Sequence, residues 1–365
     1  MVYLWAIVVI CLIVLAHEFG HYLAARSAGI EVQEFAIGFG PKIVGFRGKE
    51  QRFTVPGHDP EVIVTPGTEY NLRLLPLGGF VRMTGMEDGD ENNPIGFNTK
   101  RPFWKMVVSA AGPVFNVLFA VLVFVSLYTF IGVPAGVQEP IIGVVNLGSP
   151  AEKAGIKPGD RVIAIDGHSV KLWEEVSKRI ARNPEGQAMQ LTILRQDKER
   201  KITVTPEYNK TMERALIGIS VKIFYKQVGA IQGIKDGFTE SYLWTVQTFR
   251  SLIGMIAGQY SLNEMSGPVG IGKLIGDTAR QEWIGVFRLT AILSINLGLI
   301  NLLPIPALDG SRIVFGALEA VRRKPVEPDT ENFIHMVGFV FLMGLILLIT
   351  FHDIYRIIQT SIKVG

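Results

Sequence analysis

Four long apolar runs divide the chain before any motif is considered. Residues 2–25 are apolar but for a short polar insertion near their end. Residues 106–133 include "NVLFAVLVFVSLYTFIGV", which carries no charge. A third run, 286–303, has Arg288 at its start and Asn296 and Asn301 inside it, and a fourth, 333–350, reads "FIHMVGFVFLMGLILLIT". Crossing the bilayer core as a helix takes about 20 such residues, so the pattern predicts four transmembrane helices. The first run has no basic start and no small-residue cleavage site after it, so it reads as a span and not as a signal peptide.

Other periods occupy the intervals. "EFAIGFGPKIVGF" and "YNLRLLPLGGFVRM" alternate between glycines and prolines and read as strands. Residues 139–207 read as a small globular domain. In it "PIIGVV" and "DRVIAIDG" are strands, and "LWEEVSKRIARN" is an amphipathic helix with Trp173, Val176 and Ile180 on one face. "AMQLTILRQDKERKITVTP" is a hairpin. Between 226 and 285 a broad apolar face is interrupted by Lys235, Asp236, Glu240 and Arg250, which suits a helix lying on a membrane or against the spans. "SGPVGIGKLIG" reads as a glycine-rich turn.

Composition agrees with a membrane protein: 48% of the 365 residues are hydrophobic and only 19% are charged. The net charge of +3 is mild, and no Lys/Arg cluster is dense enough to suggest nucleic acid. Cys11 is the one cysteine, so the chain forms no internal disulfide. Basic residues concentrate between spans one and two and between spans three and four, as at Arg26, Arg47, Arg101, Arg312 and Arg322. By the positive-inside rule both loops are cytoplasmic, and both termini and the 134–285 segment lie outside.

The polar insertion in the first run is "HEFGH". Residues four apart on a helix share a face, about 6 Å apart, so both imidazoles of His17 and His21 can ligate one Zn²⁺. Glu18 stands beside the first histidine, where a carboxylate can hold and deprotonate a metal-activated water. A hydrolytic zinc has three protein ligands. His58 in a polar loop, His168 in a turn, and His335 and His352 near the ends of span four read as surface or interfacial residues. Asp309 in "NLLPIPALDGSRIVFG" is the better candidate, because Pro304 and Pro306 break the backbone at the same membrane side. It is read either as the third ligand or as the cap of the helix that follows.

The stretch "GSPAEKAGIKPGDRVIAIDG" (148–167) resembles the PDZ domains of bacterial proteases, which bind extended peptides at a sheet edge. "HEFGH" together with "NLLPIPALDG" resembles the site-2 protease family of intramembrane zinc metalloproteases, most closely the bacterial branch that regulates extracytoplasmic stress responses. "GFGP", "LRLLPLGGFVRM", "FNTKRPFWKMVVSAAGPVFN" and "SGPVGI" follow in the family's order.

The resemblance implies that His17, His21 and Asp309 ligate zinc, that Glu18 is the catalytic base, and that Asn301 holds substrate or polarises its carbonyl. It implies a mainly α-helical membrane protein of about four transmembrane helices, with a membrane-dipping β-sheet and an inserted extracytoplasmic PDZ (α+β) domain. The domains are then 1–133 (spans one and two, with a β-loop over 29–104), 134–210 (PDZ), 211–285 (amphipathic, membrane-associated) and 286–365 (spans three and four). Expected partners are the bilayer, single-pass membrane substrates such as anti-sigma factors or signal-peptide remnants, and a peptide or C-terminus on the PDZ domain. The expected location is the inner (cytoplasmic) membrane, with the active site toward the cytoplasm. The segment "EQRFTVPGHDPEVIVTPGTE" is longer than the family leads one to expect. The alternatives are a membrane metal transporter and a catalytically silent PDZ scaffold.

Overall fold

In hydrocarbon every backbone polar group must be paired within its own segment, so the apolar runs fold as helices. The computed structural model describes residues 2–55, 61–86, 93–135, 139–146, 148–184, 186–209, 214–259 and 266–364. Helix α1 (Val2–Ser27) is followed by strands β1 (Val32–Arg47), β2 (Gln51–Val55), β3 (Glu61–Thr65) and β4 (Glu69–Met83), then helix α2 (Pro102–Phe130). A run of short elements follows: β5 (Val133–Ala135), β6 (Ile142–Val145), α3 (Pro150–Lys153), β7 (Arg161–Ile165), β8 (His168–Ser169) and α4 (Trp173–Ala181). It continues through β9 (Met189–Arg195), β10 (Lys198–Val204), β11 (Glu207–Asn209), β12 (Arg214–Leu216), β13 (Ile219–Val221) and β14 (Phe224–Lys226). The chain ends in helices α5 (Ala230–Ile256), α6 (Pro268–Gln281), α7 (Trp283–Asn301), α8 (Asp309–Arg322) and α9 (Pro328–Val364). Among the described residues, α1, α2, α7 and α9 are long and apolar enough to span a membrane, the four that hydropathy predicts.

The chain divides into two units, one of residues Met1–Leu127 with Ile234–Ile362 and one built on Tyr128–Gly233. In the first, α1, β1, β4 and the start of α2 share a core of Ala25, Ile30, Val32, Met83, Phe97 and Val108. Ala6, Val9 and Ile13 of α1 pack with Ile275 of α6 and Val286 of α7. Ala120 and Phe124 of α2 pack with Ala291 and Ile295 of α7.

Strands β1 and β4 both fold back on themselves, so halves of each pair with halves of the other. Val44 faces Leu72 and Phe46 faces Tyr70 on one arm; Phe35 faces Val81 and Ile37 faces Gly79 on the other. Phe39, Ile43, Val44, Phe46 and Leu74 remain exposed on this sheet. Helix α5 turns polar groups inward: Arg288 of α7 donates to Glu240 at 3.4 Å, and Thr248 donates to Asn296 at 2.8 Å. Its Ile231, Phe238, Tyr242, Phe249 and Ile253 face outward, the reverse of a helix in water and the expected arrangement against lipid.

"SGPVGIGKLIG" is not a turn. Pro268 opens α6 with the φ a first helical residue needs, and the buried Asp353 carboxylate of α9 accepts the Gly270 N–H at 2.7 Å. That tertiary partner, far along the chain, offsets the helix cost that the glycines suggest.

The second unit is the α+β domain expected from the PDZ resemblance. Its sheet runs β10-β9-β7-β8 over a core that includes Ile142, Val162, Ile165, Val176, Ile180, Leu191 and Ile193. The β9–β10 hairpin turns on Gln196 and Asp197, both at positive φ, as a two-residue primed turn requires. Arg195 grips the buried Asp160 through two 2.7 Å hydrogen bonds. Strands β13 and β14 pair back onto β6 and β5, so this unit takes in residues beyond 210. Three-residue strands leave no readable period, which hid them in the sequence.

Candidate metal centre

The centre is assembled in the first unit from α1, α7 and α8. On α1, His17 and His21 are buried on one face, and their Nε2 atoms lie 3.2 Å apart. Helix α7 ends at Asn301, and the proline-broken loop that follows returns the chain to α8, whose first residue is Asp309. Asp309 Oδ2 lies 3.1 Å from His17 Nε2 and 3.3 Å from His21 Nε2. Among the described residues these three form the cluster whose donor atoms approach closely enough to share an ion.

The spacing has a simple meaning. Tetrahedral ligands about 2.0 Å from a common centre stand about 3.3 Å from one another. The measured separations of 3.1, 3.2 and 3.3 Å form one triangular face of such a tetrahedron. His21 Nδ1 is 2.8 Å from the Val108 carbonyl, which can only accept, so Nδ1 carries the hydrogen and Nε2 presents its lone pair to the cluster. Converging lone pairs and a carboxylate repel unless a cation lies among them. Two imidazoles and a carboxylate are also donors that zinc takes.

Asp309 does not cap the helix that follows. The residue before it, Leu308, is the extended N-cap, with no side-chain cap bond. Asp309 is the first helical residue, and its carboxylate is turned to the imidazoles. The loop is held from two directions. Gly310 lies against the Leu302 and Leu303 carbonyls, where a Cβ has no room. Ala307 holds a positive φ of 74°, strained for a residue with a side chain, while its N–H donates to His335 Nδ1 at 3.1 Å. His335, which reads as interfacial in the sequence, thus supports the Asp309 loop from α9.

Glu18 is half-buried beside the cluster, with the Val81 backbone N–H donating to it and Gly79 of β4 leaving room for its side chain. Asn301 Nδ2 lies 3.3 Å from His17 Nε2. The folded strands thus border Glu18. Within the sheet, burial raises the Glu34 carboxyl, but hydrogen bonds from Arg73 and Asn71 leave it below the usual carboxylate range. Tyr70, half-buried and bonded to Tyr22, is pushed up to about 12 by that burial and by the bond. His168, exposed and bonded to Asp166, and His352 of α9 stay apart from the cluster, and His58 lies outside the described residues.

Gly112 of α2 lies in the stretch "FNTKRPFWKMVVSAAGPVFN", which by itself assigns it no role. A Cβ there would collide with the His21 ring at Nε2. Gly112→Ala is therefore expected to displace that donor, at a cost of about 1–3 kcal/mol, and to weaken zinc binding by at least about 10-fold. A zinc titration that gives wild-type affinity for this variant would contradict the close packing.

Two imidazoles of the apolar α1 and a carboxylate of α8 converging on one point, with a further carboxylate at their side, define a metalloenzyme of the membrane. Comparison with known proteins bears this out. The Peptidase family M50 model matches residues 5–56 and 61–345, with its break inside the long 50–69 segment. Zinc metalloprotease RasP of Geobacillus kaustophilus is 34% identical over 429 aligned positions, covering 96% of this chain and 97% of the relative. Regulator of sigma-W protease RasP of Bacillus subtilis is 32% identical over 416, with the same coverage. The PDZ domain of an SdrC-like protein from Listeria monocytogenes matches at 20% identity with a TM-score of 0.21, covering 24% of this chain and 92% of that one. The chain belongs to Peptidase family M50. Its activity is that of a zinc metalloprotease with Zn²⁺ as cofactor.

Proposed function

We propose that this metalloprotease is an intramembrane endopeptidase that cuts the transmembrane segments of single-pass membrane proteins in regulated intramembrane proteolysis. The observation that carries the reading is the meeting of the donor triad in the last turns of the apolar helix α1, where a substrate reaches it from the bilayer. His17, His21 and Asp309 hold the zinc. When bound, it supplies Lewis acidity that activates water and polarises the scissile carbonyl. Glu18 takes the proton from the attacking water and passes it to the leaving amine. Asn301, whose amide Nδ2 reaches the cluster, donates to the developing oxyanion.

The second half of β4, beside Glu18, offers an edge on which an unwound substrate segment can pair and expose one peptide bond. Loop charge supports a cytoplasm-facing site in the inner membrane and a PDZ domain outside it. There the PDZ domain either rejects intact proteins or captures C-termini made by an earlier cut. The Bacillus subtilis relative is named a regulator of sigma-W protease, which supports anti-sigma factors as one substrate class beside signal-peptide remnants.

The test offers purified protein in detergent a set of single-pass membrane peptides and a water-soluble peptide of matched cut sequence. Cleavage confined to the membrane peptides, inside or next to the apolar segment, is expected. Cleavage of the soluble peptide alone would reject the substrate class. Histidine-dependent zinc flux in vesicles without cleavage of any membrane peptide would favour a transporter.

A further inference from the structure

Helix α2 secures the two histidines of α1 in different ways. His21 Nδ1 meets a backbone carbonyl, so the position of its hydrogen is settled. His17 Nδ1 meets the side-chain amide of Asn116 at 3.2 Å, and an amide offers a donor at one end and an acceptor at the other. Asn116 is fully buried, at 0% exposure, and its backbone carbonyl accepts from Ser294 of α7 at 2.9 Å. Gly298 leaves space for its Cβ. Its nitrogen faces His17, while its side-chain oxygen is buried with no hydrogen-bond partner.

The chemistry of the ring decides which end belongs there. His17 Nε2 is the nitrogen turned to Asp309 and His21, so the ligating tautomer has its lone pair on Nε2 and its hydrogen on Nδ1. Nδ1–H against an amide NH₂ sets donor against donor. A half-turn of the amide exchanges its oxygen and nitrogen with almost no change of shape. The orphaned oxygen then accepts the stranded hydrogen.

We propose that Asn116 is a positioning residue of the metal centre, whose side-chain oxygen accepts the His17 Nδ1 hydrogen, selects the zinc-ligating tautomer and sets the plane of the ring. The inference rests on the ligand set proposed above.

The test measures zinc affinity by chelator competition on the full chain in detergent, for wild type, Asn116→Ala, Asn116→Asp and His17→Ala. Loss of an outer acceptor of this kind weakens metal binding about 10- to 100-fold, which is the drop expected for Asn116→Ala. Asn116→Asp, with the same outline and only acceptors, is expected to bind zinc within a few-fold of wild type. Wild-type affinity in Asn116→Ala overturns the proposal. So does an aspartate variant as weak as the alanine one, because a role in shape or as a donor gives that result. If the alanine variant does not fold, a loss above about 10-fold in Asn116→Asp overturns the proposal by itself. Full zinc content in His17→Ala overturns the ligand set, whereas zinc lost there but held normally by Asn116→Ala overturns only the role of Asn116.

Discussion

Glu18→Gln is expected to abolish peptide cleavage while leaving one zinc per chain. Glutamine keeps the length and the polarity of the side chain, and Gly79 still leaves it room beside β4. It retains an oxygen for the Val81 N–H. It cannot take a proton from water. General base catalysis contributes about 10²- to 10⁴-fold, so single-turnover cleavage of a membrane peptide is expected to slow by about that factor. Zinc content, read by elemental analysis, stays at wild type because Glu18 is not among the three converging donors. Cleavage within 10-fold of wild type would place the base elsewhere. Zinc lost along with activity would make Glu18 part of the metal's hold.

Asp309→Asn and His17→Ala are expected to lose zinc and activity together, with affinity reduced by more than about 100-fold. That exceeds the 10- to 100-fold cost of an outer-shell change, because a direct donor is removed. Asp309→Asn keeps the outline at the first turn of α8, so helix and loop are preserved while the anion is gone. A ligand that binds only the folded state at 100 times its dissociation constant stabilises by about 2.7 kcal/mol. Wild type is therefore expected to melt at a lower temperature when chelator is added, and Asp309→Asn to melt alike with and without it. A chelator-sensitive transition in Asp309→Asn would remove Asp309 from the ligand set.

Much of this centre is legible in one dimension because it is local. The His17–His21 pair needs only the pitch of a helix, and Glu18 only its place next to His17. Asp309 is partly legible: its proline-broken setting and the charge of the loops put it on the right side, yet a capping role fits the same residues. The extended backbone at Leu308 makes that residue the N-cap and Asp309 the first helical residue, with its carboxylate turned to the imidazoles. The roles of Gly112, Asn116, Val108 and His335 are hidden in the sequence for a different reason. A backbone carbonyl, a glycine and a buried amide have no period, and each acts only through a partner on another helix.

The same division holds for the fold. Solvent transfer is local and additive, so hydropathy alone determines the four spans, and alternation alone determines β1, β4 and the β9–β10 hairpin. The chain by itself thus determined that this is a membrane protein with a hydrolytic metal motif on its first span. Tertiary structure decided the rest: that α6 is a helix, because Asp353 receives its first turn, and that α5 turns Glu240 and Thr248 toward α7. It also decided that three donors from α1 and α8 converge with tetrahedral spacing. A triad of this kind is a relation between surfaces, fixed to tenths of an ångström by the close packing of helices, and no stretch of sequence contains it.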